Sequence, residues 1–137
     1  MAGLDPRLVA AVPDFAIESG RQGTIHLLDQ DQPPTGIVAA SDALALGAMH
    51  TMRSRGLRIP DDVALVGNDD IDIAAVIRPA LTTVSLPVRE AGVQAVAMLQ
   101  QLIVGHTPEP SRLVLGVDLV VRESCGCHTS PGPAEPR

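Results

Sequence analysis

The segment Val63-Ala64-Leu65-Val66-Gly67-Asn68-Asp69-Asp70 restricts the possible folds more than any other in this chain, because a continuous apolar run stops abruptly on a glycine, an amide and two carboxylates. A run this short and this apolar fits a strand buried on both faces, the strand type of a parallel α/β sheet. Open sheets of that class bind ligands beyond the carboxyl ends of their strands. The two acids are therefore expected to face a cleft. Upstream, Gly36-Ile37-Val38-Ala39-Ala40 runs directly into Ser41-Asp42. A second strand thus delivers an acid to the same edge, and the two together point to a binding site.

What connects the two runs supports the same class. Ser41 is placed to cap a helix, with Asp42 in the first turn where a carboxylate suits the positive end of the macrodipole. The helix is expected to reach Arg55 and to stop at Gly56. Arg58-Ile59-Pro60-Asp61-Asp62 reads as a turn into the next strand, which gives a strand–helix–strand unit with a right-handed crossover and a parallel pair. The helix carries Leu44, Ala45, Leu46, Ala48, Met49 and Met52, a wider apolar surface than one sheet contact uses. Some other element is expected to cover its second face.

The flanks extend the alternation. Asp5-Pro6 reads as an N-cap followed by the first position of a helical turn, and Val9 to Phe15 as an entering strand. Ile17 to Gln30 has a helical rhythm weakened by Gly20 and Gly23 and closed by Pro33-Pro34. Ile71 to Ile77 is expected to be short and helical or irregular, and Leu81 to Ser85 has the β-branched content of a strand. Pro87 opens a longer helix, Val88 to Val104, with Ala91, Ala95, Leu99, Leu102 and Ile103 at core spacing. Leu113 to Val121 is expected to be extended. From Cys125 onward Pro, Gly and Ser accumulate without periodicity, so residues 1–124 are read as the domain and 125–137 as a disordered tail.

A chain of 137 residues can bury one core, and 45% apolar with 19% charged residues is an ordinary globular balance. No apolar run approaches the roughly 20 residues of a membrane span, and the N-terminus lacks the basic and apolar regions of a secretory signal. A cytoplasmic location is the resulting expectation. The net charge is −6, and the ten basic residues, all arginine, are dispersed except for Arg53, Arg55 and Arg58. A DNA-binding face would be a basic stripe, which this distribution excludes. The only cysteines form Cys125-Gly126-Cys127 and are expected to be free, reduced thiols. A metal centre there would need more ligands than the neighbouring His128, and His26 and His106 have no ligand spacing, so neither metal nor cofactor is expected.

Five blocks carry a family resemblance: Ala40-Ser41-Asp42-Ala43-Leu44-Ala45-Leu46-Gly47-Ala48, Gly56-Leu57-Arg58-Ile59-Pro60-Asp61-Asp62-Val63, Val66-Gly67-Asn68-Asp69-Asp70, Pro79-Ala80-Leu81-Thr82-Thr83-Val84 and Leu119-Val120-Val121-Arg122-Glu123-Ser124. In this order and spacing, over roughly Gly3 to Ser124, the chain resembles the C-terminal part of the effector-binding core of the LacI/GalR family of bacterial transcriptional regulators. The resemblance implies a parallel-sheet, Rossmann-like lobe of a periplasmic-binding-protein-like type I fold. It implies an incomplete one, since the first lobe and the helix-turn-helix headpiece have almost no counterpart here. DNA would then be bound only through that headpiece, and the helix from Val88 to Val104 would return to the first lobe.

The resemblance also proposes partners and roles. Phe15, the one aromatic residue, lies where family members often set a ring against a small polar effector such as a sugar. A ring face stacks on sugar C–H groups, although an apolar strand can equally hold a core phenylalanine. Asp69 lies where the family's first acid after the aromatic reaches the effector, and a carboxylate accepts paired hydrogen bonds from adjacent hydroxyls. Ser41 and Asp42 join the candidate ligand-binding set from the strand end, with helix capping as the alternative role. For Asp70 the alternative is a structural acid tying down the next loop. Asn68 departs from the family, which usually has Phe or Tyr there. Leu46 and Ile77 fall where the family resembles a two-fold dimer interface.

Competing classes are weaker. Paired acids after a buried strand also occur in Mg²⁺-dependent phosphoryl-transfer sites, including receiver domains, but those need a lysine and this chain has none. Asn68, Asp70 and Asp72 fall short of a calcium loop, with Ile73 where glycine is needed. No nucleotide-binding loop or nucleophile elbow is present, so a non-enzymatic role is expected. A sugar-binding protein of a transport system would share the fold; the Val-Gly-x-Asp-Asp and Pro-x-Leu-Thr-Thr blocks and the lack of a signal favour a regulator.

Overall fold

A computed structural model describes residues 8–127. Its elements are α1 (Ile17–Leu28), β1 (Gly36–Val38), α2 (Asp42–Ser54), β2 (Ala64–Asp69), α3 (Ile73–Val76), β3 (Thr82–Ser85), α4 (Val88–Ile103) and β4 (Asp118–Val120). The sheet order is β1-β2-β3-β4. The first three strands are parallel, with Val38 opposite Val66 and Asp69 opposite Ser85, while β4 runs antiparallel to β3. The α/β class and the parallel core follow the pattern of the apolar runs; the antiparallel edge does not show in it.

The core lies between the sheet and α2. Ala45, Met52, Leu65 and Leu81 are fully enclosed, joined by Ala48, Met49 and Val63. Burying each of the larger side chains stabilises the fold by about 1.5–3 kcal/mol. Ser41 caps α2 as expected, its hydroxyl oxygen accepting from the Leu44 N–H at 3.2 Å, and Gly56 ends the helix region with φ +72°. The second apolar face of α2 is covered by α1. The helices cross where Gly20 lies against the Leu44 carbonyl and Gly47 against the Ile17 carbonyl, and neither position has room for a Cβ. The glycine that weakens α1 as an isolated helix is what lets the two backbones meet.

Two expectations need correction. The strand expected at Val63 to Gly67 is not buried on both faces: Leu65 and Gly67 are enclosed, whereas Ala64 and Val66 are only partly covered and Val38 of β1 is 82% exposed. Val9 to Phe15 is not a strand: Ala10 and Val12 pack against the core, but the segment is separated from β1 by an apolar cleft of about 500 Å³. Without a ladder partner an extended apolar stretch cannot become a strand. The residues at core spacing in α4 are exposed, as the absence of first-lobe packing partners implies; no residue of the helix is buried, and Leu99 and Leu102 keep 55% and 56% of their surface. Its amphipathic pattern is real, but nothing in the described chain covers the apolar stripe. Of the extended segment Leu113 to Val121, only Asp118–Val120 pairs. The Asp5-Pro6 cap lies outside the described residues, as does the tail beyond Cys127; Cys125 to Cys127 form a turn against the domain.

Candidate functional site

The carboxyl ends of β1 and β2 meet because the Ala39 N–H donates to the Val66 carbonyl at 2.8 Å, in step with the parallel register. This brings Ser41-Asp42 beside Asn68-Asp69-Asp70. Asp42 is completely buried. Its Oδ1 accepts the Thr83 hydroxyl at 2.6 Å and its Oδ2 accepts the Ile71 N–H at 2.9 Å. Gly67 lies so close to this carboxylate that any side chain there would strike it. Asp42 therefore ties the start of α2 to β3 and to the loop after β2, and in this arrangement it offers no surface to a ligand. Ser41 is buried as well and is occupied as the cap.

Asp69 is the acid left facing outward. It is exposed at the end of β2, and its Oδ1 accepts from the Asn68 side-chain amide at 3.0 Å. Asp69 and Asp70 both have positive φ, 118° and 55°. Backbone conformations of this kind cost about 1–3 kcal/mol and persist when the surroundings hold them. Asp70 supplies the hold. It pairs with Arg122 at 2.8 Å, both side chains being only about one-fifth exposed, and its N–H donates to the Thr83 hydroxyl at 3.4 Å. The same guanidinium donates to the Leu81 carbonyl at 2.9 Å, and the Arg122 N–H donates to Thr82 Oγ1 at 2.8 Å.

Arg122 is the residue the sequence reading missed in this role. The block containing it was visible, but a contact across 52 positions leaves no periodic signal. The rest of that block clasps β3. The Glu123 carboxylate accepts from the Ala80 N–H at 2.7 Å, and the buried Ser124 hydroxyl accepts from the Thr82 N–H and donates to the Leu65 carbonyl.

Phe15 is 65% exposed in the bend before α1, outside the core cluster, so a core role for its ring is not realised. It takes no part in the network that joins the acids. The bend is fixed by Asp14, which accepts from the Ala16 N–H and the Ser19 hydroxyl; these bonds hold its carboxyl below the usual range. Leu46 and Ile77, 31 positions apart, are brought together. With Ile17 and Met49 they line an open surface groove of about 600 Å³, edged by Glu18, Arg21, His50 and Arg53.

Among the described residues no cluster of three or more His, Cys, Asp or Glu could hold a metal ion, and no helix is long and apolar enough to cross a membrane.

Comparison with known proteins gives this arrangement its class. Residues 2–125 match the periplasmic binding protein-like domain. The regulator CelR of Thermobifida fusca is 40% identical over 81% of this chain, and the repressor CytR of Escherichia coli strain K12 is 37% identical over 88%. A solved CelR–cellobiose complex superimposes with a TM-score of 0.76 at 40% identity, covering 81% of this chain and 34% of the other. The chain spans about one third of the length of the curated relatives, 33% of CelR and 35% of CytR. It belongs to the periplasmic-binding-protein-like family, as part of the effector-binding domain of LacI-family transcriptional regulators.

Proposed function

We propose that this chain is an effector-sensing and dimerising portion of a LacI-type regulator, and that Asp69 contacts a small, hydroxyl-rich effector such as a sugar. The observation that carries the reading is the division of labour among three neighbouring acids. Asp42 and Asp70 are consumed in holding the loop, while Asp69 is presented outward in a strained conformation at the edge where such sheets bind ligands. A carboxylate in that place can accept two hydrogen bonds from vicinal hydroxyls. The Asn68 amide fixes its rotamer and adds a donor. Phe15 supplies an exposed apolar ring for the C–H face of the same ligand, and Ser41 and Asp42 act from behind as supports. The sugar-bound structure of the relative CelR favours this ligand class.

In this reading DNA is bound through a headpiece outside the sequence, and effector occupancy controls it. The groove at Leu46 and Ile77 pairs isologously with a second copy, since a two-fold contact brings one patch against itself.

Amide NMR of the chain titrated with a panel of neutral mono- and disaccharides, cellobiose included, tests the effector site. Shifts centred on Asn68 to Ile71 that vanish in Asp69→Ala are expected. A saccharide that binds and leaves these amides unmoved would remove Asp69 from the site, and a panel in which none binds would overturn the reading for this chain.

A further inference from the structure

We propose that Cys125 and Cys127 form a dithiol that closes to an intrachain disulfide by exchange with a low-molecular-weight disulfide. Both thiols are free. Gly126, at φ +71°, folds the chain between them, and the Cys127 N–H donates to Cys125 Sγ at 3.2 Å. The Cys125 thiol in turn lies 3.8 Å from the Arg122 carbonyl, which it approaches as a donor.

The turn is mounted on the fold. Ser124 immediately before it is completely buried and bridges β2 and β3, and the Gly126 N–H donates to the Glu123 carbonyl at 3.2 Å. Cys125 is thereby held half-buried while Cys127 is exposed. A small reagent can reach this pair, and the second sulfur follows the first by a single residue.

The electrostatics divide the roles. Burial works against the charged form of Cys125, but hydrogen bonds from the Cys127 thiol, the Thr82 hydroxyl and the local backbone outweigh it and bring the thiol below its ordinary value. Cys127 is pushed up by its hydrogen bond to Cys125 and by the charge that sulfur carries. The thiolate is the nucleophile in exchange, so Cys125 attacks and Cys127 resolves.

The steps balance. The Cys125 thiolate attacks one sulfur of the small disulfide, forming a mixed disulfide and releasing one thiolate, which takes up the proton Cys125 has shed. Cys127 then loses its proton to solvent and attacks the Cys125 sulfur, and the second small thiolate leaves and is protonated. The protein is oxidised by two electrons, and one small disulfide is reduced to two thiols. A ring closed across one residue is strained, so the bond should be readily reducible, as labile and regulatory disulfides are.

Glutathione disulfide is the probe. The 137-residue chain is incubated with it at neutral pH, quenched in acid, alkylated and analysed by peptide mass spectrometry. A Cys125–Cys127 disulfide that a dithiol reductant reverses is expected, with no lasting glutathione adduct. Cys127→Ser should accumulate glutathione on Cys125, faster than Cys127 does in Cys125→Ser, because the Cys127 backbone N–H still donates to the Cys125 sulfur. Two stable adducts on the wild type, a disulfide between chains, no reaction, or equal rates in the two variants would each overturn the proposal. The wild-type product decides the question even where a variant is destabilised.

Discussion

The Asp42 carboxylate and the Thr83 hydroxyl, 41 positions apart, share a 2.6 Å hydrogen bond inside the protein, and the other oxygen of Asp42 takes the Ile71 N–H. Three of the sequence blocks, Ser-Asp, Val-Gly-x-Asp-Asp and Leu-Thr-Thr, are thus parts of one buried polar junction. A satisfied network of this kind specifies the geometry of its neighbours, and a broken one is costly because every orphaned partner remains buried.

Asp42→Ala should therefore destabilise the chain by about 2–4 kcal/mol, since it strands both a buried hydroxyl and an N–H. Thr83→Val removes one of the two partners of Asp42 together with the longer, 3.4 Å contact to the Asp70 N–H, and about 1–2 kcal/mol is expected. Urea unfolding of the two single variants and the double variant should show strong non-additivity, because the second change removes a bond already lost. Simple addition would mean that the two groups act independently.

Close backbone approaches give a second set of expectations. Gly20→Ala and Gly47→Ala would each gain about 1 kcal/mol of helix propensity in an isolated helix. Here the new methyl would meet the carbonyl of the opposing helix, which cannot swing aside as a side chain can. Both variants should lower the thermal midpoint. A rise in midpoint for either would show that α1 and α2 are further apart than described. Gly67→Ala should be destabilising for a related reason, with Asp42 displaced from Thr83 and Ile71.

Helix α4 makes the contrast. Leu99→Ala should cost less than about 0.5 kcal/mol in this chain, because the side chain is more than half exposed. Leu65→Ala, at a fully buried position of β2, should cost about 2–5 kcal/mol. Amide exchange should likewise be rapid along α4 and slow along β2.

These differences show what a sequence can and cannot disclose. The strand at β2 was legible because a short continuous apolar run marks a strand without knowledge of its neighbours, although only one of its faces is enclosed, and the α2 cap was legible because Ser41 bonds three residues on. The same local logic assigned a strand to Val9–Phe15, and there it failed, because a strand is a property of its partner. At the candidate edge the acids could be located but not sorted. Which carboxylate faces outward depends on Thr83 and Arg122, contributed by β3 and by the chain beyond β4. The lack of space at Gly67 marks the inward turn of Asp42, and it is readable only once β2 and α2 are placed together.

At the surface, Arg58 holds Asp62 through hydrogen bonds from its guanidinium and its own N–H, and lowers the Asp62 pKa from 3.8 to about 2. A depressed folded-state value stabilises the native form above the unfolded value and ceases to do so as the pH falls through the folded one. The contribution of this pair should thus be complete above pH 3.8 and disappear towards about pH 2. Carboxyl NMR should find the Asp62 midpoint near 2, and Arg58→Ala should return it towards the ordinary value. Because the pair is exposed, added salt should weaken the effect.

The proposed dimer makes the sharpest demand on the groove at Leu46 and Ile77. Sequence patterning suggested that the breadth of the apolar surface of α2 would require a partner, yet α1 already covers most of it. Helix α1 leaves open Leu46 and Ile77, half-buried on one shallow surface, with Ile17 and Met49 between polar margins. An apolar centre with a charged rim is the usual anatomy of an interface. The exposed stripe of α4 is a rival contact, since it is apolar over most of its length. Sedimentation at micromolar concentration separates the two. If the groove pairs the chains, Leu46→Asp yields a monomer, because two copies of the charge would be buried against each other at the two-fold axis, while Ala95→Asp on α4 leaves the dimer in place. Dissociation by Ala95→Asp alone would move the interface to α4, and a monomeric wild type would exclude both.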